Sequence, residues 1–90
     1  MNVGYVAREM VDWATKAILT KLLRHGYIGS RHTSIDNIPK GFPKHRYGDI
    51  KKATKKLIKD RLILAKPTSY GIQVSLNSRR IQEIESIIQS

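Results

Sequence analysis

The chain contains no cysteine, which excludes disulfide bonds and thiolate metal sites. This composition suits a reducing compartment, so we expect a cytoplasmic protein. No apolar run approaches the roughly 20 residues that a membrane-spanning helix needs. The N-terminus also lacks the basic start and apolar stretch of a secretory signal peptide. The sequence therefore predicts a protein without a disulfide framework and without a membrane partner.

Acidic residues are scarce: seven Asp and Glu stand against 17 Lys and Arg. A catalytic site built on paired carboxylates has few candidates among them, and none has a matching acid–base spacing. The sequence also shows no glycine-rich phosphate loop and no nucleophile elbow. We therefore expect a protein that is not an enzyme, that needs no cofactor and that has no small-molecule ligand.

Three histidines are the remaining candidates for metal ligands. His25, His32 and His45, taken with Asp36, fit no known ligand spacing. Histidine is common at helix ends and in loops for other reasons. We therefore expect no metal site.

Positive charge is abundant and concentrated in one part of the chain. The formal net charge is +10 and the isoelectric point is about 10.2. Residues 38–66 contain ten Lys and Arg against two Asp, whereas residues 77–90 contain two against two. Ninety residues make one domain, numbered 1–90. A localised charge of this size indicates a polyanionic partner, and nucleic acid is the first candidate.

The densest charge falls on a segment with helical periodicity that begins at Gly48 or Asp49. At about 100° per residue, one flank of this helix carries Ile50, Ala53, Leu57 and Arg61. The opposite flank carries five lysines: Lys51, Lys52, Lys55, Lys56 and Lys59. No acidic residue lies among them to neutralise them. A solvated surface is the alternative interpretation, and we favour nucleic-acid binding.

A predicted β-hairpin follows this helix directly. Its strands are residues 61–66 and 72–76, and Pro67–Gly71 form the turn. Lys66 adds a charge, and Thr68, Ser69 and Tyr70 place hydroxyl groups at the tip that suit phosphate contacts. An ordinary turn, with Tyr70 folded back on the sheet, is an equally good interpretation.

The rest of the chain predicts shorter elements around a first helix. That helix covers residues 6–24 and ends before Gly26, with Ala14, Ile18 and Leu22 on its apolar face. A strand stub at residues 27–28 precedes a short helix that Thr33 or Ser34 caps. Residues 39–47 form a basic loop, and Asn77 or Ser78 caps a last helix.

The end of the basic loop precedes the lysine-rich helix. A phosphate near a helix N-terminus is favoured by the free N–H groups and the helix dipole. Lys44, His45 and Arg46 are therefore candidates for phosphate contacts, with a flexible loop as the alternative.

The pattern Ile50-x-x-Ala53-x-x-x-Leu57-x-x-x-x-Leu62-Ile63 resembles the recognition helix and wing entry of winged helix-turn-helix proteins. The resemblance covers about residues 15–76 and is closest to small stand-alone archaeal transcription regulators. It implies an α+β, mostly α fold in which the lysine-rich helix enters the major groove of double-stranded DNA. Lys66–Gly71 would then be the wing. An RNA-binding protein and a protein-interaction adaptor remain the alternatives.

Two features depart from that family. The segment Pro39-Lys-Gly-Phe-Pro43 lengthens or distorts the join after the second helix. The outward helix positions are nearly all lysine, which reads bases less selectively than Arg, Asn or Gln. Strong sequence specificity is therefore not expected.

A second apolar stripe on the first helix includes Trp13 and Met10, out of phase with the main core face. The last helix also carries an apolar stripe, which comprises Ile81, Ile84 and Ile88. The two stripes can cover each other within one chain or between two chains. We favour a homodimer, because winged-helix regulators often dimerise through terminal helices.

Overall fold

The computed structural model describes the backbone of residues 2–90 and the side chains of residues 13–90. Its helices are α1 (Asn2–Arg24), α2 (Tyr47–Lys59) and α3 (Ile81–Gln89). Its strands are β1 (Thr33–Ser34), β2 (Ile63–Thr68) and β3 (Gly71–Leu76). The predicted α+β class with mainly helical structure is confirmed.

The three strands form one antiparallel sheet in the order β1-β3-β2. Thr33 pairs with Val74 on one side of β3, and Ile63 pairs with Leu76 on the other. The strand stub predicted at residues 27–28 is reduced to a single parallel bridge between Ile28 and Leu76. The chain therefore enters the sheet later than predicted, at β1.

Helix α1 ends where the sequence predicts. Gly26 has a φ of +72°, which favours glycine. The Gly26 N–H donates to the Leu23 carbonyl and the Tyr27 N–H to the Leu22 carbonyl, both at 3.0 Å. This pair of bonds is a Schellman motif, which satisfies the last carbonyls of the helix.

The core lies where α1, α2, α3 and the sheet meet. The predicted apolar face of α1 is buried, and Val74 and Leu76 of β3 are fully buried beside it. Burial of one such side chain stabilises the fold by about 1.5–3 kcal/mol. The other fully buried large side chains are Ile18, Leu19, Ile38, Ile50, Ile63 and Ile84, with Leu22 2% exposed.

The second helix is shorter than predicted. A single 3-10 turn covers Ile35–Asn37, and the Ser34 hydroxyl caps it by accepting from the Asp36 N–H at 3.2 Å. The cap is therefore confirmed, and the short helix that it starts is a single 3-10 turn rather than an α-helix. Ile38 is itself in the helical region, with φ −63° and ψ −50°. The turn ends there because Pro39, the next residue, has no N–H to donate to a further helical hydrogen bond.

The last helix corrects one predicted site. Asn77 caps a 3-10 turn, Ser78–Arg80, that leads into α3. Ile84 was assigned to a surface between chains, but it is 0% exposed in the core of a single chain. Ile81 and Ile88 are partly buried against the same core. Met10 lies outside the residues whose side chains the structure describes.

Within residues 2–90, no helix combines the length and the apolar character that crossing a membrane requires.

Candidate nucleic-acid interface

Helix α2 separates an apolar side from a cationic side. It begins at Tyr47, slightly earlier than predicted, because the 3-10 turn Lys44–Arg46 leads directly into it. Ile50, Ala53 and Leu57 are buried as predicted. Thr54 is also buried, and its hydroxyl donates to the Ile50 carbonyl at 2.8 Å. The sequence does not predict this burial, because threonine is polar.

The five lysines of α2 are all exposed, and they are called the lysine face below: Lys51, Lys52, Lys55, Lys56 and Lys59. The buried residues hold the opposite side of α2 against α1 and the sheet. The acidic residues nearest in sequence are Asp49 in the first turn and Asp60 just after the helix. The lysine face is therefore a continuous band of positive charge on a fixed helix.

The end of α2 corrects the predicted place of Arg61. Arg61 was assigned to the core flank of the helix, but it is exposed and lies beyond the helix with a φ of 63°. Its N–H donates to the Ile58 carbonyl at 3.1 Å, and the Leu62 N–H donates to the Leu57 carbonyl at 3.0 Å. The helix thus ends in a second Schellman motif, with arginine at the position that usually holds glycine.

Two side chains from the start of the C-terminal segment fix this end of α2. The Asn77 amide donates to the Arg61 carbonyl at 2.9 Å. The Arg80 guanidinium donates to the Asp60 carbonyl and forms two bonds to Glu83, at 3.0 and 2.8 Å. The carbonyl groups of Asp60 and Arg61, just after the helix, are therefore bound from the segment that precedes α3.

The turn before α2 brings Arg46 to Trp13. The Arg46 guanidinium carbon lies 5.0 Å from the centre of the Trp13 ring, which is a cation–π contact. The Phe42 ring meets Trp13 edge to face, with centres 6.2 Å apart. Arg46 also approaches Asp49 at 3.5 Å. Lys44 and His45 of the same turn are exposed, so all three predicted side chains reach solvent.

Lys21 of α1 holds the loop that the sequence left undefined. Its ammonium group donates to the carbonyls of Asn37, Ile38 and Lys40, the first at 2.7 Å and the second at 3.0 Å. It also lies 5.5 Å from the centre of the Phe42 ring. Burial lowers the pKa of Lys21, and the nearby positive charge of Lys40 lowers it further. No sequence pattern indicates this contact, because the partners are 16–19 residues away.

The hairpin tip is tighter than predicted. Pro67 and Thr68 belong to β2, and the connection is only Ser69 and Tyr70, with Gly71 at a φ of +109°. The Thr68 hydroxyl donates to the Gly71 carbonyl at 2.6 Å and accepts from the Tyr70 N–H at 3.1 Å. Thr68 is exposed, and its assignment to a phosphate contact stays a prediction, with its hydroxyl already bonded within the turn.

Other tip residues keep the exposure that a ligand contact needs. The Tyr70 side chain is 91% exposed, so it does not fold back on the sheet. Ser69 is exposed as well, and so is Lys66, which pairs with Gln73 across the hairpin. The tip therefore exposes the phenol of Tyr70, the hydroxyl-bearing side chain of Ser69 and the ammonium group of Lys66.

A groove runs between α1 and α2 beside the lysine face, and it is called the α1–α2 groove below. Trp13 and Ala14 contribute from α1, and Ala53 contributes from α2. Its charged lining comprises Arg46, Asp49, Lys52, Lys55, Lys56, Lys59 and Asp60. The structure thus joins Arg46 and four of the five lysines with Trp13, which the sequence placed on a separate surface.

No cluster of three or more His, Asp or Glu side chains that could hold a metal ion occurs in the described part of the chain. Comparison with protein-family models, curated proteins and solved structures finds no match for this chain.

Proposed function

We propose that the chain is a winged-helix protein that binds double-stranded DNA and regulates transcription, with α2 as the recognition helix. The observation that carries the proposal is the lysine face: five exposed lysines on one side of a helix whose other side is fixed in the core. Phosphate contacts from lysine supply much of the affinity of proteins for duplex nucleic acid.

The order of elements supports the winged-helix part of the proposal. A helix precedes the lysine-bearing helix, a hairpin follows it directly, and the sheet has the order β1-β3-β2. The shortened second element, a single 3-10 turn at Ile35–Asn37, is the main departure from the family pattern. The hairpin β2–β3 is the proposed wing, with Lys66, Ser69 and Tyr70 as its contacts.

A recognition helix with only lysines on its exposed side is expected to bind DNA tightly but to distinguish base sequences poorly. An ammonium group acts as a point charge and lacks the forked geometry that reads two atoms of one base. Arg46 and Arg61 lie at opposite ends of α2 and are the nearest arginines in the sequence. We therefore expect modest discrimination among DNA sequences.

A charge reversal on the helix tests the proposal. Lys51→Glu with Lys55→Glu is expected to abolish duplex binding, since both side chains are exposed on the lysine face. The melting temperature should hardly move, because neither side chain is buried. Arg79→Glu, which reverses one exposed cation near α3, is the matched control for Lys51→Glu alone. Full binding by the double variant, or a loss from Arg79→Glu as large as that from Lys51→Glu alone, would contradict the proposed role of α2.

An RNA duplex is the second candidate ligand, since the lysine face also suits RNA phosphates. Parallel titrations of duplex DNA and duplex RNA of the same sequence separate the two. The proposal requires tighter binding to DNA, because the deep and narrow major groove of A-form RNA does not admit a helix.

A further inference from the structure

The Trp13 side chain lies beside the lysine face, and the duplex-binding proposal gives it no role. It is the one tryptophan in the chain and is 46% exposed at the edge of the α1–α2 groove. Phe42 and Arg46 hold its ring from the loop before α2. A large aromatic ring is thus fixed in position and still open to solvent.

The walls of the groove are cationic around this ring. Lys52, Lys56 and Lys59 line it from α2, and Arg46 lies over the indole. The Arg46 side chain itself is 49% exposed, so its guanidinium can also face a ligand. Asp49 and Asp60 sit at the two ends of α2 and leave the middle of the groove positive.

The floor of the groove is apolar. Ala14 and Ala53 are both buried there, and each contributes only a methyl group. An apolar side chain of a partner protein needs a desolvated pocket to contribute strongly to binding. A planar ring needs only a flat aromatic surface, and Trp13 supplies one.

From these observations we propose that the α1–α2 groove binds unpaired nucleotides of a single-stranded nucleic acid. One base stacks on the exposed part of Trp13, and Arg46, Lys52 and Lys56 contact the flanking phosphates. Aromatic stacking beside a basic groove is the general chemistry of single-strand binding, and arginine adds a cation–π contribution.

The groove adjoins the lysine face but is not identical with it. Lys51 belongs to the lysine face and does not line the groove. A duplex that ends in a single-stranded overhang would therefore occupy both surfaces at once. The groove proposal extends the proposed function without depending on it, because a single strand alone is sufficient to fill the groove.

The test compares two strands that carry the same phosphates. A 12-nucleotide thymidine oligomer and an abasic 12-mer are titrated at one salt concentration, with Trp13 fluorescence as a direct signal. We expect about tenfold tighter binding of the thymidine strand, the scale of stacking one base. We also expect it, and not the abasic strand, to quench the fluorescence. A titration with a 12-nucleotide uridine RNA shows whether single-stranded RNA binds with the same affinity as the thymidine strand.

Variants separate stacking from charge. Trp13→Ala should bind both strands with equal affinity, whereas Trp13→Phe should keep part of the preference and show that the fold tolerates a change here. Lys51→Gln is the matched control, because it removes one charge outside the groove. It should weaken both strands by the same factor and leave their ratio near ten.

Three results would overturn the proposal: equal affinity of the wild type for both strands, a tenfold preference retained in Trp13→Ala, or tighter binding of a polyglutamate peptide than of the thymidine strand. The last would assign the groove to an acidic protein. Failure of the groove proposal can be told apart from failure of the proposed function. If the protein does not bind duplex DNA but still prefers the thymidine strand over the abasic strand, only the duplex proposal fails.

Discussion

Replacement of Arg61 by glycine is expected to stabilise the protein. Arg61 has a φ of 63° and is the one non-glycine residue with positive φ among the residues the structure describes. The left-handed conformation costs an L-residue with a side chain roughly 1–2 kcal/mol. Glycine avoids this cost, but its greater conformational entropy stabilises the unfolded chain by about 0.4–1 kcal/mol. The difference predicts a net stabilisation of about 0.5–1 kcal/mol.

The structure indicates that little else should change. The Arg61 side chain is exposed, and the bond that Asn77 makes at this residue goes to its backbone carbonyl. For a domain of this size, 1 kcal/mol shifts the melting temperature by about 4–8 °C. We therefore expect Arg61→Gly to melt about 2–8 °C higher than the wild type.

Two further variants make the thermal assay decisive. Arg61→Ala removes the same charge but keeps a Cβ atom, and asparagine tolerates the left-handed region better than most residues. The expected order of melting temperature is Gly, then Asn, then Ala. If glycine is no more stable than alanine, the strain assigned to the end of α2 is refuted. Duplex affinity should be equal for the glycine and alanine variants, because each loses one charge.

Two other predictions concern the wing and assembly. The double variant Ser69→Gly with Tyr70→Gly keeps the Thr68 hydroxyl of the turn. It should weaken duplex binding less than charge reversal on α2, since neutral hydroxyl contacts contribute about 0.5–1.5 kcal/mol each. A larger loss of affinity in the binding titration would make the wing the main contact. The homodimer stays a prediction, and it competes with the groove proposal, because a dimer through α1 and α3 that uses exposed Trp13 would cover the ring. Trp13→Glu should then sediment as a monomer. A wild-type monomer at tens of micromolar would contradict it.

Periodicity and turn chemistry predict most of the local structure. The spacing of Ile50, Ala53 and Leu57 gives the buried side of α2, and the lysines between them follow on the exposed side. Gly26 marks the end of α1 because glycine adopts positive φ at no steric cost. Each of these features depends on residues close together in the sequence, so each is visible without the structure.

Contacts between distant segments account for what the sequence does not predict. Lys21 binds carbonyls 16–19 residues away, and Arg46 meets Trp13 across 33 positions. The isoleucine stripe of α3 gives no indication whether its cover lies in the same chain or in another, and Ile84 is covered within one chain. Residue type and spacing carry no information on such partners, because the fold alone brings them together.

The most direct test of the proposed function is the salt dependence of binding to duplex DNA. If the lysine face neutralises about five phosphates, the logarithm of the binding constant should fall with the logarithm of salt concentration at a slope of roughly −4 to −5. The proposal predicts tight binding at low salt with this steep slope. No binding at low salt, or a slope near zero, would contradict it.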